Sequence, residues 1–146
     1  MTRYRLEMNE EQARTVIAAL DFWMRMRIGQ WDELRKLCWN FGNIVGTQEY
    51  ETKRDAIDEK LMEARQIAMP ELTRGASWGV YKFPCTERAF NVLKAIRSAR
   101  AWHNNPNGGW TVDYDRPRAI NVSEEMPVCE VVTDAKGHKA ADTVSG

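Results

Sequence analysis

The stretch NEEQARTVIAALDFWMRMRIG, Asn9 to Gly29, decides the fold class. Asn9 stands where an N-cap side chain accepts from the first turn, and Glu10, Glu11 and Gln12 follow it, the acidic pair suiting the positive end of a helix dipole. Ala13, Val16, Ile17, Leu20, Trp23 and Met24 recur at helical spacing, and Asp21 with Arg25 makes an exposed i, i+4 pair. Gly29 interrupts the pattern. The chain is therefore expected to be helix-dominated, with its first long helix starting near Glu10.

Working outward, Tyr4 to Met8 alternates apolar and charged residues, the period of a half-buried strand. Trp31 to Trp39 carries a second helical stretch with Leu34, Leu37 and Cys38 inward, and Trp23 and Trp39 take helical core positions. Gly42, Asn43 and Gly46 close that region between Asn40 and Gln48. From about Glu49 to Met69 the chain is charge-rich with Ile57, Leu61, Ala64 and Ala68 on one stripe, a one-sided amphipathic helix ended by Pro70. Thr73 to Pro84 reads as a loop holding Trp78 and Tyr81. Thr86 and Glu87 open a further helix that runs to about His103. Trp110, Val112 and Tyr114 alternate with Thr111, Asp113 and Asp115, a second strand, and Val128 to Val132 makes a third, short one. The expectation is an α+β fold: one helix-dominated domain, residues 1–133, with a small β-sheet of two or three short strands. Residues 134–146, small and polar, are expected to be a disordered tail.

Composition narrows the function classes. The chain has 146 residues, of which 43% are hydrophobic, enough for a core without metal or disulfide. The charge-free run Trp39 to Gln48 contains Asn and Gly and is far too short to span a bilayer, and no apolar segment follows the basic start, so neither a membrane nor an export route is expected. Cys38, Cys85 and Cys129 are too widely spaced for a metal knuckle or redox motif, which reads as reduced thiols in a cytosol; no cofactor or metal is expected. With 21 basic and 21 acidic residues the net charge is zero, which argues against a partner as extended as long nucleic acid. That zero is uneven: residues 73–118 hold 8 basic and 3 acidic side chains, between flanks that are both net acidic.

Three arginines lie on apolar stripes. At 100° per residue Arg27 falls near the stripe centred on Leu20, and Arg97 and Arg100 fall near the stripe of Ala89, Leu93 and Ile96. Each guanidinium is open to three readings: it snorkels to water beside the negative end of its helix dipole, it pairs internally with Asp32, Asp113 or Asp115, or it lines an anion pocket. Trp102, Tyr81 and Trp31 are the aromatics placed to stack on a base, against the plainer reading of core packing. His103 could donate to a ligand or cap its helix. Cys85 ahead of a helix would need distant His103 as a base to act as a nucleophile. No nucleophile elbow, His-Glu-x-x-His, P-loop or dinucleotide fingerprint is present, so no catalytic residues are assigned and the chain is not expected to be an enzyme.

The order strand, Asn9-Glu10-Glu11-Gln12-Ala13, then Arg27-Ile28-Gly29-Gln30-Trp31-Asp32-Glu33-Leu34 resembles a family of small bacteriophage-encoded accessory proteins. Ala89 to Trp102 and Gly108-Gly109-Trp110-Thr111-Val112-Asp113-Tyr114-Asp115-Arg116-Pro117 are similar to that family's second half. The resemblance covers roughly residues 4 to 132, less securely the helix around Ile57. It implies expression in the host bacterial cytoplasm and action against host defence, by blocking a host protein or by sequestering a nucleotide signal. The first expectation is thus a non-enzymatic sponge for a small anionic, phosphate-bearing nucleotide, with Arg27, Arg97 and Arg100 on phosphate, an aromatic on the base, and a pocket completed in a homo-oligomer. The second is a protein-interaction module, either an inhibitor docking on a host protein or a minor virion component.

Overall fold

The computed structural model describes residues 4–38, 44–116 and 125–132. Four α-helices build it: α1 (Glu10–Arg27), α2 (Asp32–Cys38), α3 (Gln48–Ala68) and α4 (Pro84–Asn104), with a 3-10 turn at Val80–Lys82 before α4. The inward placement of Leu37 and Cys38, the core position of Trp39 and the tail at 134–146 lie outside the described residues and side chains.

α1 is bounded by its own sequence at both ends. The Asn9 side chain accepts from the Gln12 amide at 2.8 Å while the Gln12 side chain accepts from the Asn9 amide at 2.9 Å, a reciprocal cap that satisfies two orphan donors. At the other end the Gln30 amide donates to Arg25 O and the Gly29 amide to Met26 O, the paired closure that needs a left-handed residue between helix and exit. Gly29 provides it at φ 90°. A side chain there is excluded a second way, because a Cβ would stand 2.5 Å from Leu72 Cδ1.

α1 and α4 pack antiparallel: Arg100 near the end of α4 meets Glu10 at the start of α1, and Arg27 at the end of α1 lies over Phe83 just ahead of α4. Met24, Ala89 and Leu93 form the buried centre of the interface, with Ile17, Leu20 and Phe90 against it. Trp23, expected inward, is exposed. α4 starts at Pro84, two residues before Thr86, since proline is favoured in a first turn where its missing N–H costs nothing. Thr86 is fully buried, its hydroxyl within bonding distance of the Val80 and Phe83 carbonyls.

Beyond its expected stripe, α4 also buries Glu87, Asn91, Ala95 and Ser98, which project from the opposite side at 100° per residue. It is the most deeply buried of the described helices. α3 is turned about its axis relative to the expected stripe: Ile57 and Leu61 are half-buried, but Ala64 and Ala68 are exposed and Arg65 is buried instead.

The expected β-sheet is not there, and the fold is corrected from α+β to helical, with no strand among the described residues. Tyr4 to Met8 forms no ladder with any of the described residues, and Tyr4 and Leu6 stand in solvent. Trp110 to Tyr114 is a turn, closed by the Tyr114 amide on Thr111 O. Val128 to Val132 is irregular, with Val128 and Val132 exposed. Alternation gives a segment two faces, but a strand exists only where a second strand completes its ladder.

Candidate functional site

The sequence-derived site residues separate into two groups at opposite ends of the α1 and α4 pair. At the end where α1 starts, Arg100 embraces Glu10: its Nε lies 3.1 Å from both carboxylate oxygens and Nη2 also contacts Oε1. Arg14 Nε adds a bond at 3.0 Å, and the two guanidinium groups, Arg100 first, pull the Glu10 carboxyl down to about 2. Arg97 is paired with Asp113, Nη2 to Oδ2 at 3.1 Å and Nε to Oδ1 at 2.9 Å. Of the two internal partners now seen, Asp113 was among those the sequence suggested and Glu10 was not.

The Arg97–Asp113 pair fastens residues 105–116 back along α4, while Arg100–Glu10 ties α4 to α1. Lys94 Nζ donates to Val112 O at 2.8 Å, and Trp102 meets Tyr114 edge to face at 5.4 Å. Gly108, at φ 82°, lets the loop turn against the Trp102 ring. What this leaves outside is apolar: Trp110 is fully exposed, Val112 is 62% exposed and Trp102 is 45% exposed. His103, on the last turn, is exposed beside them.

At the other end Arg27 is exposed and lies 5.0 Å over the Phe83 ring, and among the described residues it meets no carboxylate. Fourteen residues of helix separate Phe83 from Arg97, about 20 Å at 1.5 Å per residue, so the three arginines do not share a pocket. Trp31 is half-buried with its indole N–H donated to Met26 O at 3.0 Å, a further cap on α1. The Tyr81 ring lies against Gly79 and is exposed. Cys85 and His103 occupy opposite ends of α4 and are not brought together.

A polar cleft of about 320 Å³ opens beside this second end, lined by Arg25, Gly29, Gln30, Asp32, Glu33, Met62, Arg65 and residues 75–77. Its floor holds Arg65, 1% exposed, which sequence reasoning passed over because it stood beside the alanines taken as the buried stripe. Arg65 donates to the carbonyls of Gly29 (3.2 Å), Ala76 (2.5 Å) and Thr73 (2.7 Å), tying α3, the α1 exit and the loop after α3 to one guanidinium. The signal in the sequence was a helical arginine four residues before Met69 and followed by a loop of bare carbonyls, which is weak.

Among the described residues no group of three or more His, Cys, Asp or Glu is placed to hold a metal, and no helix is long and apolar enough to cross a membrane. No family model matches the chain, and no curated protein or solved structure matches it either.

Proposed function

We propose that this chain is a non-enzymatic protein-interaction module whose contact surface is the ridge of Trp102, Trp110 and Val112. The observation that carries the reading is the contrast at one end of the molecule: Arg97 and Arg100 are engaged by Asp113 and Glu10, while Trp102 of α4 and Trp110 and Val112 of the loop that Arg97 holds stand in water. Exposed tryptophans on a helix end and the loop pinned beside it are the residues that dominate interface energetics, because they bury much area and lose little side-chain entropy.

The rim is basic. With Arg97 paired to Asp113 and Arg100 to Glu10, Lys94 and Arg116 remain at this end without a carboxylate partner among the described residues, against the single carboxylate of Asp115. The partner is therefore a protein with an apolar pocket edged by carboxylates. A two-fold contact with a second copy would set this basic rim against itself, which disfavours self-association through the ridge. The likeness to phage accessory proteins supports seeking the partner in a bacterial cytosol. Nucleotide sequestration has less support, since the arginines assigned to phosphate are apart and two of them are neutralised.

The test is affinity purification of tagged wild type and Trp110→Ala from bacterial lysate. A protein retained stoichiometrically by the wild type and lost from the variant supports the module. Equal retention by both, or release of a nucleotide on heating the purified protein, overturns it.

A further inference from the structure

The cleft over Arg65 has a charge arrangement that points to a ligand. Arg65 is almost wholly buried, yet among the described residues it meets no carboxylate; three N–H groups go to carbonyls and Nε has no acceptor. A buried cation balanced by dipoles alone is costly, and an anionic group seated against it would offset that cost. Arg25, the other cation of the cleft, is already engaged: Nε to Asp21 at 2.7 Å, Nη1 to Gln30 at 3.0 Å and to Glu33 at 3.4 Å. Glu33 in turn takes Lys36 at 2.8 Å. Asp32 is the remaining carboxylate of the lining; it adds to the field on Arg25 but makes no close ion pair among the described residues.

Arg65 and Asp32 thus line the same cleft without a close ion-pair partner, and its four charged lining residues sum to zero. A simple anion would meet the repulsion of Asp32 and Glu33, and a simple cation that of Arg25 and Arg65. Gln30 and Ser77, joined by a 3.3 Å hydrogen bond across the mouth, add polar groups, and no aromatic ring is present to receive a base. We propose that this cleft binds a small zwitterion of amino-acid size, its carboxylate toward Arg65 and its ammonium toward Asp32. The 320 Å³ accommodates such a molecule with water around it.

The experiment is an amide chemical-shift titration of the full chain with L-alanine, L-glutamine and γ-aminobutyrate, and separately with acetate and with methylammonium. Saturable shifts at Gly29, Gln30, Ala76 and Ser77 with a zwitterion, and none with acetate or methylammonium at equal concentration, are expected. Asp32→Asn should weaken the zwitterion at least about tenfold while leaving the circular dichroism spectrum unchanged. Arg65→Lys is the second variant, and loss of binding with the spectrum retained is expected of it. No saturable shift from any zwitterion, equal shifts from acetate, or undiminished binding by Asp32→Asn overturns the proposal.

Discussion

Arg100 clasps Glu10 across ninety residues of sequence, joining the C-terminal part of α4 to the first residue of α1. The pair has a pH signature. Glu10 is held at about 2 against its ordinary 4.5, so its stabilising effect is complete above 4.5 and is lost as pH falls from there through about 2. Both side chains are partly in water, which screens the pair, so the contribution at neutral pH is about 1 kcal/mol or less. Urea unfolding of wild type and Glu10→Gln should differ by that amount at pH 7, and the difference should vanish by about pH 2. A difference that does not change with pH would show that the glutamine disturbs the helix start rather than the ion pair.

Gly29 lies under Leu72, and two separate restraints meet at its missing side chain. Gly29→Ala brings a Cβ to 2.5 Å from Leu72 Cδ1 at φ 90°, whereas Gly46→Ala has φ 85° and open space within 4 Å. The second variant should cost about 1 kcal/mol from the left-handed backbone alone, and the first about 2 to 4 kcal/mol because Leu72 must also move. Parallel urea titrations measure both, and the gap between them isolates the overlap.

The parts of this fold that were readable are those governed by near neighbours. Asn9 with Gln12 and Gly29 with Gln30 mark the ends of α1 through contacts three to five residues long, and the spacing of Ile17, Leu20 and Met24 marks its inner face. What failed depended on distant chain. Tyr4 to Met8 and Trp110 to Tyr114 carry strand alternation, but whether a ladder forms is decided by segments elsewhere, and here Lys94, Arg97 and Trp102 hold the second of them as a turn. The same holds for the arginines: periodicity put Arg97 and Arg100 on the apolar stripe, and nothing local named Glu10 as a partner. For α3, alanines at 64 and 68 counted toward the apolar stripe although three loop carbonyls draw Arg65 inward instead.

Arg65 is more than a cleft residue, because it joins three segments. Arg65→Met keeps the aliphatic stem but removes the guanidinium donor from the Gly29 and Ala76 carbonyls and leaves Thr73 O with the Ala76 amide alone, and should cost about 3 kcal/mol or more. The loss should be local as well as global. Hydrogen exchange at Ala76 and Trp78, whose amides bond to Thr73 O and Ile28 O, should accelerate well beyond that at Leu93 in the core. Uniform acceleration across both regions would mean that the guanidinium does not hold the loop independently.

Trp110 offers the sharpest separation of stability from binding. Its side chain is fully exposed, so truncating it removes no packing, and Trp110→Ala should change unfolding free energy by less than about 0.5 kcal/mol. Trp102 is different: its ring meets Tyr114 and the backbone of Gly108, and Trp102→Ala should cost about 1 to 2 kcal/mol while loosening the loop. If the ridge is the contact surface, both variants lose the partner, Trp110→Ala by about 2 kcal/mol with the fold untouched. Biolayer interferometry with the purified partner, beside urea unfolding of the same samples, reads the two quantities independently. Binding that tracks stability across the pair, falling with Trp102→Ala and unchanged with Trp110→Ala, would remove Trp110 from the interface and leave the loop a structural cover for α4.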